Sequence, residues 1–249
     1  MTPYYEHAGI AIYHGDCRDV IPALGVSVDC VIADPPYAQT SLAWDRWPLA
    51  WLETDGLGSS LWCFGSLRLF MDRAGDFSAA GWKLSQDVVW EKHNGSSFHA
   101  DRFRRVHEQA SHFYRGEWGG IYKSTPVTSD ATARTVRRKG RPAHMGHIEQ
   151  QKLYVSEDGG PRLMRSVIYA RSMHGSASNE TQKPKAIVAP LIEYACPVGG
   201  LVLSPFMGSG TDLLAARLLG RRAIGIEARE EQCDTAARLL QEALPLELA

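Results

Sequence analysis

The sequence predicts an α/β fold with a mostly parallel, twisted sheet and helices on both of its faces. Short apolar runs rich in β-branched residues recur along the chain, and segments with helical spacing separate them. Residues 201–227 have the order strand, glycine-rich turn, helix and strand, which is typical of a βαβ unit. Polar residues follow two of the apolar runs at Asp34 and Ser204, as expected at the carboxyl edge of a parallel sheet.

The first part of the chain alternates strands and helices. Apolar runs predict the strands, and amphipathic spacing with a glycine stop near Gly81 predicts the longer helix. The predicted elements are strands at 9–13, 28–33 and 60–64 and helices at 19–24 and 66–80. Residues 38–48 show no clear period, so we expect a mobile loop there.

The second part is less regular at first. Strand signals recur at 88–90 and 110–114, and residues 116–165 are then rich in Gly, Ser, Thr, Arg and Lys with interleaved aromatics. These aromatics indicate an insertion, because a free linker does not need them. Regular patterns return later in the chain. They predict helices through 187–194 and 213–219 and strands at 201–203 and 223–226.

The net charge of −1 conceals a basic middle segment. Residues 92–175 carry 15 Lys and Arg against 7 Asp and Glu, while the rest of the chain is acidic. A basic block suits binding to a phosphate backbone, since neutralised phosphates release counterions. The alternative is a solvated basic loop.

The five cysteines lack CxxC spacing, which argues against a zinc site and a disulfide framework. We therefore expect reduced, packed cysteines and no metal. No apolar run has the length of a membrane span, and the first residues lack a signal-peptide pattern. We expect a cytoplasmic protein with no membrane partner.

The segment Asp34-Pro35-Pro36-Tyr37 carries the first chemical signal. It ends the predicted strand 28–33, so a carboxylate, a rigid turn and an aromatic ring meet at a sheet edge. Asp34 and the turn carbonyls suit an exocyclic amine, and Tyr37 suits stacking on a flat ring. The segment therefore indicates modification of a nucleic-acid base, with an ordinary strand-end turn as the alternative.

A second signal is the glycine-rich turn Ser204-Pro205-Phe206-Met207-Gly208-Ser209-Gly210-Thr211 between a strand and a helix. Its glycines let the backbone approach a ligand, and free amides at the helix start favour an anionic group. Glu227 ends the next strand, where an acid can hold a ribose diol. The turn matches neither the GxGxxG nor the GxxxxGK[ST] pattern, so NAD and ATP are poor candidates.

With Thr181-Gln182-Lys183-Pro184 between them, these two motifs resemble the amino-group DNA methyltransferases that use S-adenosyl-L-methionine. Their order is that of the family's β group, and the resemblance covers roughly residues 10–92 and 176–235. It implies a Rossmann-like methyltransferase fold, circularly ordered with the catalytic half first, plus a DNA-recognition insertion. The implied domains are a catalytic half at 1–92, a basic target-recognition insertion with some core strands at 93–175, and a cofactor half at 176–249.

The resemblance also implies roles for individual residues. Asp34 and the Pro35 carbonyl would accept the hydrogens of the target amine, with Pro36 in the turn and Tyr37 stacked on the flipped base. The implied cofactor-binding residues are Asp16, Cys17, Asp34, Lys183, Ser204, Phe206, Gly208, Ser209, Gly210, Thr211 and Glu227. Two positions depart from the family pattern. Ser204 stands where an aspartate is common, which removes one partner of the cofactor ammonium, and Asn179-Glu180 replaces a usual His-Pro pair.

Duplex DNA is the implied substrate, with phosphate contacts expected from basic residues of the insertion. The predicted contacts are Arg102, Arg104, Arg105, Arg137, Arg138, Lys139 and Arg141. Trp118 or Tyr122 is a candidate to fill the gap left by a flipped base, although such aromatics more often pack in a core. A homodimer is a further family expectation.

Asp34 favours adenine N6 as the target, because family members with serine at that position usually act on cytosine N4. Cytosine N4, a catalytically impaired DNA-binding relative, and an RNA or protein-amine methyltransferase remain alternatives.

Overall fold

The structure is a computed structural model that describes residues 1–41, 43–95, 100–137, 153–172 and 182–243. It contains two compact units, one formed by Met1–Ser124 with Ser166–Ala249 and the other by Thr125–Arg165. The second unit is shorter than the predicted insertion at 93–175. Strand residues on both sides of it, at 107–114 and 167–169, belong to the sheet of the first unit.

Strands and helices alternate through much of the described part of the chain. The strands are β1 (Tyr5–His7), β2 (Ile10–His14), β3 (Cys30–Ala33), β4 (Ser60–Gly65), β5 (Lys83–Glu91), β6 (His107–Tyr114), β7 (Val127–Thr128), β8 (Arg134–Arg137), β9 (Leu153–Ser156), β10 (Arg162–Leu163), β11 (Val167–Tyr169), β12 (Leu201–Ser204) and β13 (Arg222–Glu227). The helices are α1 (Cys17–Leu24), α2 (Leu67–Ala79), α3 (Lys185–Ala195), α4 (Thr211–Leu218) and α5 (Glu230–Glu242), with 3-10 turns at Trp51–Glu53 and Trp118–Gly120.

The first unit is built on one sheet in the order β1-β2-β13-β12-β3-β4-β6-β5-β11. Strands β2, β13, β12, β3 and β4 run parallel, whereas β6 is antiparallel to both β4 and β5. The prediction of a mostly parallel sheet is confirmed for its centre. We call the edge at which these five parallel strands end the carboxyl edge, and the opposite one the amino edge.

Two apolar clusters cover the two faces of this sheet. Alternate residues of β3, such as Ile32 and Val31, point into different clusters, as the two-residue period of a strand requires. Helices α3, α4 and α5 pack on one face, and α1 and α2 pack on the other. Because both faces are covered, the central strands β3, β4, β12 and β13 have no charged residue except at the two ends of β13.

The strand order reverses between β3 and β12. From β3 the chain proceeds through β4 on one side, and from β12 it proceeds through α4 to β13 on the other. In open α/β sheets a crevice forms at this point, outside the carboxyl ends of the strands. The sheet topology therefore places a ligand crevice directly above β3 and β12.

Local signals explain where the helices begin and end. The Asp16 carboxylate caps α1 by accepting from the Arg18 amide, and Gly25 ends that helix with φ of 59°. The Ser66 hydroxyl caps α2 in the same way by accepting from the Leu69 amide. Helix α1 consequently begins two residues before the predicted start.

Some elements depart from the prediction. Strand β5 is nine residues long where only 88–90 was expected, because most of its side chains are not buried and so carry no apolar signal. Helix α5 was not predicted at all, although Glu230, Glu231, Cys233, Ala236 and Leu240 follow a helical period. Strand β3 begins at Cys30, two residues after the predicted start at 28.

The segment predicted as a mobile loop, residues 38–48, has defined internal contacts. The carboxylate of Asp45 accepts from the amides of Ala38, Gln39 and Thr40 at 2.7, 2.9 and 2.7 Å. Trp47 packs edge-on against Trp51 at a ring distance of 6.0 Å. The mobility of this segment stays a prediction.

The second unit contains two small antiparallel sheets, β7 with β10 and β8 with β9. Asp130 accepts two hydrogen bonds from the guanidinium of Arg162, at 2.7 and 2.6 Å, which ties β10 to the turn after β7. Its strands are largely exposed.

Candidate active site

Both predicted motifs meet at the strand reversal. Asp34-Pro35-Pro36-Tyr37 follows β3 and Ser204-Pro205-Phe206 begins at the end of β12, and these strands are hydrogen-bonded neighbours with Val31 opposite Leu203. The carboxyl edge therefore brings together segments that are about 170 residues apart in sequence.

Asp34 is held by two side chains. Its Oδ1 accepts from the Tyr37 hydroxyl at 2.8 Å, and its Oδ2 pairs with Lys183 Nζ at 2.5 Å. Burial and the adjacent Asp34 carboxylate raise the pKa of Tyr37 well above its usual range. The Tyr37 hydroxyl is therefore a neutral donor at physiological pH.

Lys183 lies between two carboxylates. Its Nζ is 3.6 Å from Glu108 Oε2 on β6, and Glu108 Oε1 pairs in turn with Lys92. Burial disfavours the charged ammonium, but Asp34 and Glu108 outweigh burial and raise the pKa of Lys183. Burial likewise favours a neutral Glu108, yet Lys183 and Lys92 lower its pKa. Lys183 and Glu108 are therefore both charged at neutral pH.

The glycine-rich turn comes close to neighbouring backbone. Gly208 and Gly210 have φ of 51° and 78°, where L side chains are strained. A Cβ on Gly210 would lie 2.8 Å from the Cβ of Ala236, so α5 leaves no room for a side chain there. The Gln182 amide donates to the Thr211 hydroxyl at 2.8 Å, which ties the segment before α3 to the first residue of α4.

Glu227 closes the other side of this turn. Its Oε2 accepts from the Gly208 amide at 3.1 Å, and its Oε1 accepts from the Arg229 amide at 3.0 Å. The carboxylate is thus fixed at the end of β13, beside the turn. Gly15 at the end of β2 donates its amide to the Glu227 carbonyl, so the neighbouring Asp16 reaches the same edge.

The remaining predicted cofactor residues differ in exposure. Asp16 is half-exposed and holds the Arg18 guanidinium, at 2.6 Å in the shorter contact. The side chain of Cys17 packs in the core, which leaves only its main chain for a ligand. Phe206 contacts Trp51 edge-on at 5.1 Å, and Ser209 is buried.

Asp212, which the sequence interpretation did not single out, lies beside Ser204. Burial raises the pKa of Asp212 to about 7, the nearby Ser204 hydroxyl and the Leu213 amide oppose this rise, and Asp34 adds to it. Ser204 stands at the end of β12, where the family commonly has an aspartate. Asp212 on the first turn of α4 therefore brings an acidic group close to that position.

The predicted DNA contacts fall in three places. Arg102, Arg104 and Arg105 are exposed in the connection from β5 to β6. Because Glu91 of β5 is opposite His107 of β6, this connection leaves the sheet at the carboxyl edge. Arg137 is exposed in β8 of the second unit. Arg138, Lys139, Arg141 and Thr181 lie outside the described residues.

The structure places Trp118, one of the two candidates to fill the gap of a flipped base, at the edge of the sheet opposite Asp34, whereas the role of Tyr122 stays a prediction. Strand β6 is antiparallel to β4, so Tyr114 at its end lies opposite Ser60, at the amino edge. Trp118 packs on Tyr114 with a ring distance of 5.0 Å. The length of β6, roughly 23 Å, separates this edge from the one that carries Asp34.

Glu108 and Lys92 are further site residues that sequence reasoning missed. Both lie in an antiparallel hairpin with no motif around them, and only the strand pairing brings them to Lys183. Among the described residues, no group of His, Cys, Asp and Glu side chains could hold a metal ion. The described helices include none that is long and apolar enough to cross a membrane.

Comparisons with known proteins agree with this arrangement. Residues 28–238 match the family model described as a DNA methylase of the N6/N4 type. The type II methyltransferase M.ScaI of Streptomyces caespitosus is 24% identical over 96% of this chain and 84% of its own length.

Two solved structures share the fold. The M1.HpyAVI-SAM complex superposes with a TM-score of 0.63 at 24% identity, covering 92% of this chain and 99% of that one. The cytosine-N4-specific PvuII DNA methyltransferase gives a TM-score of 0.63 at 14% identity, covering 95% and 88%. Since the family model spans most of the chain, including both motifs, the protein belongs to the N6/N4 family of DNA methylases.

Proposed function

We propose that this DNA methylase transfers a methyl group from S-adenosyl-L-methionine to N6 of an adenine flipped out of duplex DNA. The observation that carries the proposal is that Asp34 and the glycine-rich turn follow hydrogen-bonded neighbouring strands, which brings them to the same point of the carboxyl edge. One segment suits an aromatic amine, and the other suits a nucleoside-bearing methyl donor.

The residues of the crevice fit this cofactor. The glycines keep side chains out of the turn, and Glu227 presents a fixed carboxylate suited to a ribose diol. The first amides of α4 favour the cofactor carboxylate, and the acidic groups near Ser204 favour its ammonium. M1.HpyAVI, which has the same fold, was solved as a complex with SAM, and this supports the assignment.

The amine of adenine is a poor nucleophile because its lone pair is delocalised into the ring. Asp34 and the Pro35 carbonyl would accept its two N–H bonds and so favour a pyramidal nitrogen. When bound, S-adenosyl-L-methionine supplies an activated methyl group on a sulfonium. Asp34 and Pro35 would hold the nitrogen toward this methyl group, and the Asp34 carboxylate would accept the N–H proton that the methylated nitrogen loses.

Flipping the base costs a few kcal/mol of unstacking, which stacking on Tyr37 partly offsets. The connection between β5 and β6 lies at the edge of the sheet that carries Asp34. Its arginines are therefore suited to contact phosphates around the target base. Phe103 in the same connection is fully exposed and flanked by Arg102 and Arg104. We propose Phe103 as the side chain that occupies the gap in the duplex.

Adenine is favoured over cytosine by Asp34, since the resemblance associates aspartate at this position with adenine. The fold does not discriminate, because the PvuII enzyme with the same fold is cytosine-N4-specific. The test is to methylate DNA with the purified protein, digest it to nucleosides and identify the product by mass. We expect N6-methyladenine, and N4-methylcytosine as the main product would overturn the choice of base.

A further inference from the structure

The contacts of Lys183 suggest how Asp34 becomes available to the target amine. In the structure Asp34 Oδ2 pairs with Lys183 at 2.5 Å while Oδ1 accepts from Tyr37 at 2.8 Å. A carboxylate that already faces an ammonium is a weaker acceptor for a neutral amine, because the cation withdraws negative charge. Lys183 in this position therefore competes with the proposed substrate contact.

A second acceptor is within reach of the same ammonium. Glu108 Oε2 lies 3.6 Å from Lys183 Nζ, which is an ion-pair distance but longer than a hydrogen bond. This oxygen is buried and has no hydrogen-bond partner among the described residues. A buried carboxylate oxygen without a partner favours any move that brings a donor to it.

The distance that Lys183 Nζ must move between Asp34 and Glu108 is short, and aromatic rings that stabilise a cation flank it. Shortening the contact to Glu108 to a normal hydrogen bond requires a shift of about 1 Å. The rings of Phe64 and Tyr37 flank Nζ at 5.2 and 5.8 Å from their centroids, distances at which aromatic faces stabilise an ammonium. Lys183 has a carboxylate partner before the movement, Asp34, and after it, Glu108. Its positive charge therefore stays paired.

We infer that Lys183 moves from Asp34 to Glu108 when the target amine binds, and that Glu108 is the positioning residue that draws it away. The inference rests on the proposed function, since it assigns the freed oxygen of Asp34 to the target amine. No proton is transferred, because Lys183 stays an ammonium throughout. Lys92 holds the other oxygen of Glu108 and so keeps Oε2 directed at Lys183.

The test is a double-mutant cycle with Glu108→Gln and Lys183→Gln, measured by single-turnover methyl transfer to duplex DNA. We expect Glu108→Gln to lower the transfer rate about tenfold or more, with S-adenosyl-L-methionine affinity changed less than about threefold. In the Lys183→Gln background the same substitution should change the rate less than about twofold, since Glu108 acts through Lys183. A similar loss in both backgrounds, or no loss in either, would refute the inference.

His112→Gln is the matched variant, because it also changes a buried polar side chain of β6, but one whose ring contacts the Ser60 and Ser85 hydroxyls rather than Lys183 or Asp34. Transfer at a temperature where the protein is folded should be kept, although the protein unfolds at lower temperature. A loss of transfer in His112→Gln equal to that in Glu108→Gln would indicate a merely structural role and overturn the inference.

A further readout does not depend on activity. The double-mutant cycle of Glu108 and Lys183 in thermal unfolding should show coupling, and additive effects would contradict their contact. If the wild-type protein does not methylate duplex DNA, the proposed function fails. If the wild-type protein is active but the variants do not behave as expected, only the inference about Lys183 and Glu108 fails.

Discussion

At the scale of single residues, the site is defined by carboxylates whose partners differ. Asp34 faces an ammonium and a hydroxyl, whereas Glu227 is held by two main-chain amides and by the guanidinium of Arg229, which lies two residues along the chain. The first arrangement leaves a charge that side-chain movement can expose, and the second fixes a charge in place. This difference matches the proposed division between chemistry at Asp34 and cofactor binding at Glu227.

Asp34→Ala should abolish methyl transfer and spare cofactor binding, because the partner that we propose for Asp34 is the target amine rather than the cofactor. Loss of one transition-state hydrogen-bond partner lowers rates by about a hundredfold or more. Transfer of radiolabelled methyl groups and calorimetric titration with S-adenosyl-L-methionine measure the two quantities. A large loss of cofactor affinity would refute the assigned role.

Glu227→Gln should weaken cofactor binding, because a charged acceptor for the ribose diol becomes neutral. Hydrogen bonds to charged groups contribute about 1.5–3 kcal/mol, so we expect a dissociation constant raised about tenfold or more. Glu230→Gln is the control, since Glu230 is an exposed acid at the start of α5. Equal affinities for the two variants would argue against the ribose contact.

At the scale of elements, the direction of β6 decides which loops serve the site. This strand runs antiparallel to β4, so the connection that precedes β6 lies at the carboxyl edge and the 3-10 turn after it lies at the amino edge. The connection at the carboxyl edge carries the basic residues 102, 104 and 105 and the exposed Phe103. The turn at the amino edge carries Trp118.

Phe103→Ala should impair base flipping while Trp118→Ala should not. Stacking of a base on an aromatic side chain contributes about 1–3 kcal/mol, which corresponds to a loss of roughly tenfold in transfer rate. Fluorescence of 2-aminopurine at the target position reports the flipped base directly. A mismatch opposite the target should restore part of the rate, and the reverse ranking of the two variants would contradict the placement.

At the scale of the whole molecule, a buried histidine links folding to pH. His112 is buried on β6, between β4 and β5, and its ring nitrogens contact the Ser60 and Ser85 hydroxyls at 2.9 and 2.5 Å. Burial lowers the pKa of His112 to about 4, below the usual value of 6.5. The folded protein therefore holds the neutral ring at a pH where the unfolded chain binds a proton.

The protein should lose stability as the pH falls from about 6.5 to about 4, because only the unfolded state gains the proton in this window. Above pH 6.5 both states are neutral and this contribution does not vary. At pH 5 the loss amounts to roughly 2 kcal/mol. Urea unfolding at pH 7.5 and 5.0 measures it.

His112→Gln should remove most of this acid sensitivity, since no proton is bound at that position in either state. The exposed His7 provides the control, and His7→Gln should keep the wild-type dependence. If the stability of the His112 variant depends on pH as the wild-type stability does, groups other than His112 cause the loss of stability in acid.

The sequence alone determined the α/β class, both motifs and the order of the chain halves. It did so because buried parallel strands and glycine-rich turns leave local patterns of apolar and special residues. Asp34, Gly210 and Glu227 were each identified from the residues around them, and the family comparison agrees with the class of enzyme that they indicated.

Only the tertiary structure decided what surrounds these residues. Glu108 reaches Lys183 through strand pairing across 75 residues of sequence, and Trp118 is placed far from Asp34 by the direction of one strand. Neither fact has a local signal, because pairing partners and strand directions depend on contacts between distant segments. The sequence thus determined which motifs the chain carries and in what order, and the fold decided which charges and loops lie beside them.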